Sequence, residues 1–276
     1  MHQSAPCPVS DQISQAIENN ELVLPVMPGW AMKVNRMLDD MNISAGQIVS
    51  ALSGDPVFAS QLIKTANSVA YAGKSKVDNV STAVSRLGFK MLRNLVVSAS
   101  MNKLAVTSNP KIQKHLTAFW EHSREVAAIS HVLSRSQKHL NQDQAMLAGL
   151  THDIGSLPIF IHIDKHGIDF DNDMLEKILT KCRAKVSEQL LKTWEFPLEL
   201  VEVPVAHEDI YREQSSQNSS YADVVTIANL LNRVTAKTID WNKITAVKRM
   251  GLRSELYRDF FEIYDNDLRA AREIFT

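Results

Sequence analysis

Apolar residues recur at helical spacing along almost the whole chain, in segments opened by capping residues and closed by glycine or proline, and strand signals are sparse. That pattern points to an all-α fold. Ser44 and Gln47 have the spacing of a capping box opening a helix through Ile48, Val49 and Leu52. Asp55-Pro56 sets an N-cap acid before a first-turn proline, ahead of Phe58, Leu62, Ile63 and Ala66. Asn67, Ser68, Tyr71 and Gly73 read as the end of that helix, with Asn or Gly left-handed at its cap. Ser81 opens a short helix that Gly88 closes, and a longer one follows from Phe89 to Val106. Ser108-Asn109-Pro110 is a break. A long helix is expected over 111–138, and another from Asn141 to Gly155, beyond which Pro158 bars continuation. Residues 163–173 read as a polar loop. Helices resume over 175–194, from Leu198 towards His207, and over 221–234, with a low-complexity loop at 214–220. The tail from Trp241 reads as short amphipathic helices.

The 276 residues are 45% hydrophobic and 22% charged, enough for a sizeable core. A net charge of -1 gives no electrostatic reason to expect a nucleic acid or an acidic membrane as partner. Two distant cysteines, Cys7 and Cys182, make neither a disulfide framework nor a zinc cluster, which favours a reducing compartment. The opening MHQSAPCPVSDQ lacks the features of a secretory signal, and the longest apolar run, Leu157 to Ile161, is short of a membrane span. A cytoplasmic protein is expected. Lys90, Arg93, Lys103, Lys111 and Lys114 read as solvated faces, and Trp120 and Trp194 as core. GxGxxG, GxxxxGK[ST] and GxSxG motifs are all missing from the sequence.

Chemistry concentrates at His152-Asp153, within Gly149-Leu150-Thr151-His152-Asp153-Ile154-Gly155. Adjacent imidazole and carboxylate ligands can hold a divalent ion that activates water for phosphoester hydrolysis. An ionised Asp at the end of a helix opposes the helix dipole by about 0.3–1 kcal/mol, which a metal or another cation would offset. The dipeptide alone also fits a packed histidine beside an acid bonded to a nearby donor. His122 and His207 are the other candidate ligands.

The order Phe119-Trp120-x-His122, Gly149-Leu150-x-His152-Asp153-Ile154-Gly155 and Leu190-Leu191-x-x-Trp194-x-x-Pro197 resembles the HDOD family, relatives of the HD-domain metal-dependent phosphohydrolases. Leu24-Pro25-Val26-Met27-Pro28, Asp55-Pro56, Ala66-Asn67-Ser68 and Ala83-x-x-x-Leu87-Gly88 fall in the same family order, so the resemblance runs from about Leu22 to Ala236. It implies an N-terminal helical part over 15–108, an HD-like helical bundle over 109–236, and a C-terminal helical extension over 237–276 packing on that bundle. It also implies a role in bacterial signalling, with a signalling protein as partner or a nucleotide second messenger as ligand.

The resemblance places His122, His152 and Asp153 at metal positions. It also marks three departures from an active HD site. Asn229 stands where a last Asp ligand is expected, and an amide is the poorer ligand for a hard ion. Ser156 replaces a frequent Lys. Arg183 replaces a further His, and its guanidinium cannot ligate a metal but could pair with Asp153. Near residue 207 only Ala206-His207 remains of an expected His pair. The expectation is therefore a regulatory module holding no metal or a single weakly bound divalent ion. The alternative is a phosphohydrolase acting on a nucleotide or phosphodiester.

Overall fold

A computed structural model of the chain describes residues 19, 22–40, 42–52, 55–73, 75–214, 218–233, 238–253 and 255–275. The readings made on the start of the chain, on residues 215–217 of the 214–220 loop, and on residues 234–236 lie outside these. Among the described residues every regular element is helical: α1 Gly29–Met37, α2 Ala45–Leu52, α3 Pro56–Ala66, α4 Val80–Leu104, α5 Pro110–Ser134, α6 Gln142–Thr151, α7 Ser156–Lys165, α8 Asn172–Thr193, α9 Leu198–Val201, α10 Val203–Ala206, α11 Tyr221–Asn232, α12 Thr245–Arg249, α13 Leu256–Ile263 and α14 Asp265–Arg272, with short 3-10 turns at Trp241–Lys243 and Glu273–Phe275.

The caps work as the residues suggest. Ser44 and Gln47 bond reciprocally, with Gln47 N–H donating to Ser44 Oγ and Ser44 N–H to Gln47 Oε1. Asp55 accepts from Phe58 N–H at 3.1 Å. Gly88, at φ 74°, breaks α4 into the two helices expected there. Asn67 behaves differently from its expected role. Its backbone is right-handed at φ -100°. Its side chain instead clamps the following loop, donating to Ile63 O and Val77 O and accepting from Val77 N–H.

Three boundaries shift. The long helix α5 stops at Ser134 rather than 138. The His-Asp helix ends at Thr151, with His152 as its C-cap. After one tight turn the chain is helical again, with Pro158 at the third position of α7, where its missing N–H costs nothing. Residues 163–165, expected in a loop, are the last turn of that helix. The run Gln142–Lys165 is long and apolar enough to cross a membrane by composition, yet 89% of its apolar window is buried inside the protein, as in a core helix.

In the N-terminal half, α1 and α2 pack on α4, and α3 lies along it. In the other half α5, α6 and α11 pack on one another, and α8 closes over α7, α9 and α10. The halves meet where α4 touches α6, and at the corner that ends α8. There Trp194, fully buried, donates from its indole to Pro25 O, and Arg36 grips both oxygens of Glu195.

Candidate functional site

Two glycines set the spacing of the site. A Cβ on Gly149 would lie 2.8 Å from the Ala127 Cα and the Val126 carbonyl of α5. A Cβ on Gly155 would lie 2.5 Å from Arg183 O and Ser187 N of α8. The Gly-x-x-His-Asp-x-Gly segment is thus pressed between α5 and α8, and Gly155 N–H donates to Ser187 Oγ at 2.8 Å. This compression brings His122 of α5, His152 and Asp153 at the end of α6, Arg183 of α8, His207 at the end of α10 and Asn229 of α11 to one place. His152, Asp153, His207 and Asn229 are buried, and His122 and Arg183 are partly exposed.

His122, His152 and Asp153 form one group. His122 Nε2 lies 3.2 Å from His152 Nε2, and Asp153 Oδ2 lies 3.4 Å from His152 Nε2 and 3.9 Å from His122 Nε2. His152 Nδ1–H donates to Gly149 O at 2.7 Å, which turns Nε2 towards His122 and Asp153. The Asn232 amide meets His122 Nδ1 at 2.9 Å. When its NH2 donates there, His122 carries its proton on Nε2 and gives it to His152. When its oxygen faces the ring, both Nε2 lone pairs converge with Asp153 Oδ2. Burial, aided by His152, pushes the His122 ring down to about 4, so it is neutral at pH 7. The three donor atoms lie within 4.8 Å of one another. These donors are close enough together to hold a metal ion.

The other carboxylate oxygen has a different environment. Asp153 Oδ1 lies 2.9 Å from Arg183 Nε, and Arg183 Nη2 donates to Glu208 Oε1 at 3.0 Å. Burial alone would raise the Asp153 carboxyl, but His152, Arg183 and His207 together outweigh it and hold the group ionised, below the usual carboxylate range. His207 Nδ1–H donates to Val203 O, and burial pushes the ring down to about 3. Asn229 lies beside them, with its buried Oδ1 free of any hydrogen bond. The only acid of α11, Asp223, is taken at the helix's first turn by Arg212 and Arg249. The last ligand position therefore remains an amide. A groove of about 900 Å³ opens over Arg183, His207 and Asn229, with Leu175, Leu179 and Leu230 on its walls and Lys114 and Arg233 at its edge.

The sequence-derived residues thus come together. Three functional neighbours were missed. Asn232 was detectable as the residue one turn beyond Asn229 on the same face. Glu208 was adjacent to a candidate ligand. Ser187 carried no local signal.

An all-α bundle with His-Asp at a helix end, faced by histidines from α5 and α10, defines a protein of the HD-like class. The HDOD domain profile matches residues 24–210, more than half of the chain, and the chain belongs to that family. A candidate metal-dependent phosphohydrolase from Shewanella amazonensis SB2B is 22% identical, with 98% of each chain covered and a TM-score of 0.79. An HDOD domain protein of unknown function from Geobacter sulfurreducens is 19% identical over 97% of this chain and 99% of its own, with a TM-score of 0.69. A candidate signal transduction protein from Marinobacter aquaeolei VT8 is 20% identical, covering all of this chain and 67% of its own, with a TM-score of 0.67. These likenesses establish the fold. An uncharacterised protein from Treponema pallidum (strain Nichols) is 23% identical over 139 residues, 49% of this chain and 26% of that protein, so the match spans about a quarter of the curated relative.

Proposed function

We propose that the chain is a regulatory module of bacterial signalling whose HD site binds and does not hydrolyse. The observation that carries this reading is Arg183 against Asp153 Oδ1. A bridging carboxylate would share its two oxygens between two ions, and here one oxygen already faces a permanent cation of the chain itself. Asn229, at the position of the last Asp ligand, removes a further negative charge. What remains is His122, His152 and Asp153 Oδ2, which would hold one ion. A divalent ion bound there supplies a Lewis acid for phosphoryl oxygen. With three protein ligands and a neutral amide nearby, its hold is weak. The groove suits a small ligand whose anionic groups meet Lys114 and Arg233, such as a nucleotide second messenger, and the helical surface suits a signalling protein partner.

Hydrolysis is assayed with manganese, iron or nickel across nucleotides, cyclic dinucleotides and an aryl phosphodiester, with His152→Ala alongside. No turnover above background is expected in either protein. Turnover that His152→Ala abolishes would overturn the regulatory reading in favour of a metal-dependent phosphohydrolase.

A further inference from the structure

Arg93, expected on a solvated face, is tucked in. Its side chain is 12% exposed, and its Nη2 is shared between the Asp39 carboxylate and the Asn35 carbonyl of α1. Lys90 precedes Arg93 and Asn94 by three and four residues on α4, the spacing at which helical side chains meet, and all three line one cavity of about 160 Å³. The cavity lies between the two halves of the protein. Leu38 bounds it just after α1, Gln144 and Leu147 from α6, and Leu200 from α9. It shares no residue with the groove over Arg183.

The cavity carries two unmet demands. Asn94 is 1% exposed, and its Nδ2 donates to the Asp143 carbonyl at 2.8 Å. A carbonyl only accepts, so the amide cannot be turned round, and the atom left without a hydrogen-bond partner is the acceptor Oδ1. Such an atom costs stability until a donor reaches it. Lys90 has the opposite need. Its ammonium makes a long contact, 3.4 Å to Gln144 Oε1, and that oxygen already accepts from the Tyr221 hydroxyl at 2.9 Å. With Asp39 taken by Arg93, one cation of the lining is left over. Leu38, Phe89, Leu147 and Leu200 make the rest of the wall apolar.

Size narrows the class. A cavity of about 150 Å³ encloses a body the size of a benzene ring, whereas drug-sized ligands take about 300–1,000 Å³. A nucleotide is too large to be enclosed. We propose that this cavity is a separate ligand site, built for a small hydroxylated monocarboxylate: the carboxylate on Lys90, the hydroxyl donating to Asn94 Oδ1, and a short aliphatic body against Leu147 and Leu200. Its place gives it a use. Gln144 and Leu147 belong to α6, which leads into His152, so a bound acid bears on the helix that carries the His-Asp pair and holds the two halves in one arrangement. The inference goes beyond the regulatory reading and holds for an enzyme as well.

Titration calorimetry with 2-hydroxy-4-methylpentanoate tests it on wild type, Lys90→Gln and Leu147→Phe, with circular dichroism as the check on folding. Wild type is expected to bind one acid per chain. The deoxy acid 4-methylpentanoate, which leaves Asn94 Oδ1 unpaired, should bind about ten-fold more weakly, and so should the hydroxy acid to Lys90→Gln. Lys90 is exposed, so that variant should fold. Leu147→Phe fills the cavity and should abolish binding. Should it fail to fold, Lys90→Gln and the pair of acids still decide. No saturable binding to wild type overturns the proposal, as does equal affinity for the two acids. An affinity that neither substitution lowers also overturns it, because the acid then sits in the groove over Arg183 or elsewhere. Turnover dependent on His152 would sink the regulatory reading and leave these affinities as they stand.

Discussion

Gly155 is the residue on which the alignment of the site depends. Its missing Cβ lets the α8 backbone come close enough for Ser187 to accept from the turn and for Arg183 to reach Asp153. The atoms an added methyl would strike, Arg183 O and Ser187 N, are backbone atoms inside a helix and cannot rotate away. Gly155→Ala must therefore push α8 outward as a body. Overpacking of this kind costs about 1–3 kcal/mol. We expect a loss of that size in urea denaturation, together with faster reaction of Arg183 with an arginine-selective dicarbonyl. A Gly155→Ala protein as stable as wild type would mean that α8 is not seated as tightly as the contacts require.

Among elements, the α3–α4 connection separates two roles for one side chain. Asn67 resembles a helix cap, and a cap of that kind tolerates glycine. The structure gives it three hydrogen bonds instead, two of them to the backbone of Val77, which is 1% exposed. Removing the amide strands a buried N–H and a buried C=O, at about 1–3 kcal/mol. Asn67→Gly and Asn67→Ala should both show that loss in chemical denaturation, and a harmless Asn67→Gly would restore the capping role. The same contrast explains what was legible in the sequence. Caps and 3.6-residue periodicity are local, so a helix such as α3 was readable with its start, whereas the first part of α4, expected to open at Ser81, is capped by Asn79, whose side chain accepts from Thr82 N–H. The break between α6 and α7 was not readable, because a proline at the third position of a new helix resembles a terminator. His122, His152, Asp153, Arg183 and His207 were legible through the family order of motifs. Glu208 as a clamp for Arg183 and Asn232 as a partner for His122 were not, because those contacts join residues 25 and 110 positions apart and leave no periodic trace.

At the scale of the whole molecule, acid should loosen the fold through its buried histidines. Burial holds His131, on α5 away from the site, at about 4, with Arg135 adding to the effect. Its pKa in the unfolded chain is about 6.5. The folded value is the lower one, so the unfolded state binds more protons as pH falls from about 6.5 towards 4, and stability is lost across that window. His122 and His207 add to the loss in the same direction. His131→Gln should reduce the fall in stability between pH 7 and pH 5 by about 1–2 kcal/mol. An unchanged pH slope in denaturation curves would place that proton elsewhere. The C-terminal tail decides whether such losses are felt by one half or both. Helix α14 packs on α5, with Arg272 gripping Glu125. The following turn reaches α3, where Thr65 Oγ donates to Ile274 O. The tail therefore joins the bundle to the N-terminal half. Leu268, 1% exposed, is one of its apolar anchors. Leu268→Ala should cost about 2–5 kcal/mol. With Trp30 reporting on the first half and Trp120 on the bundle, we expect the two probes to shift together to lower urea with the slope unchanged. Separated transitions would show that the halves fold independently and that the tail merely rests on both.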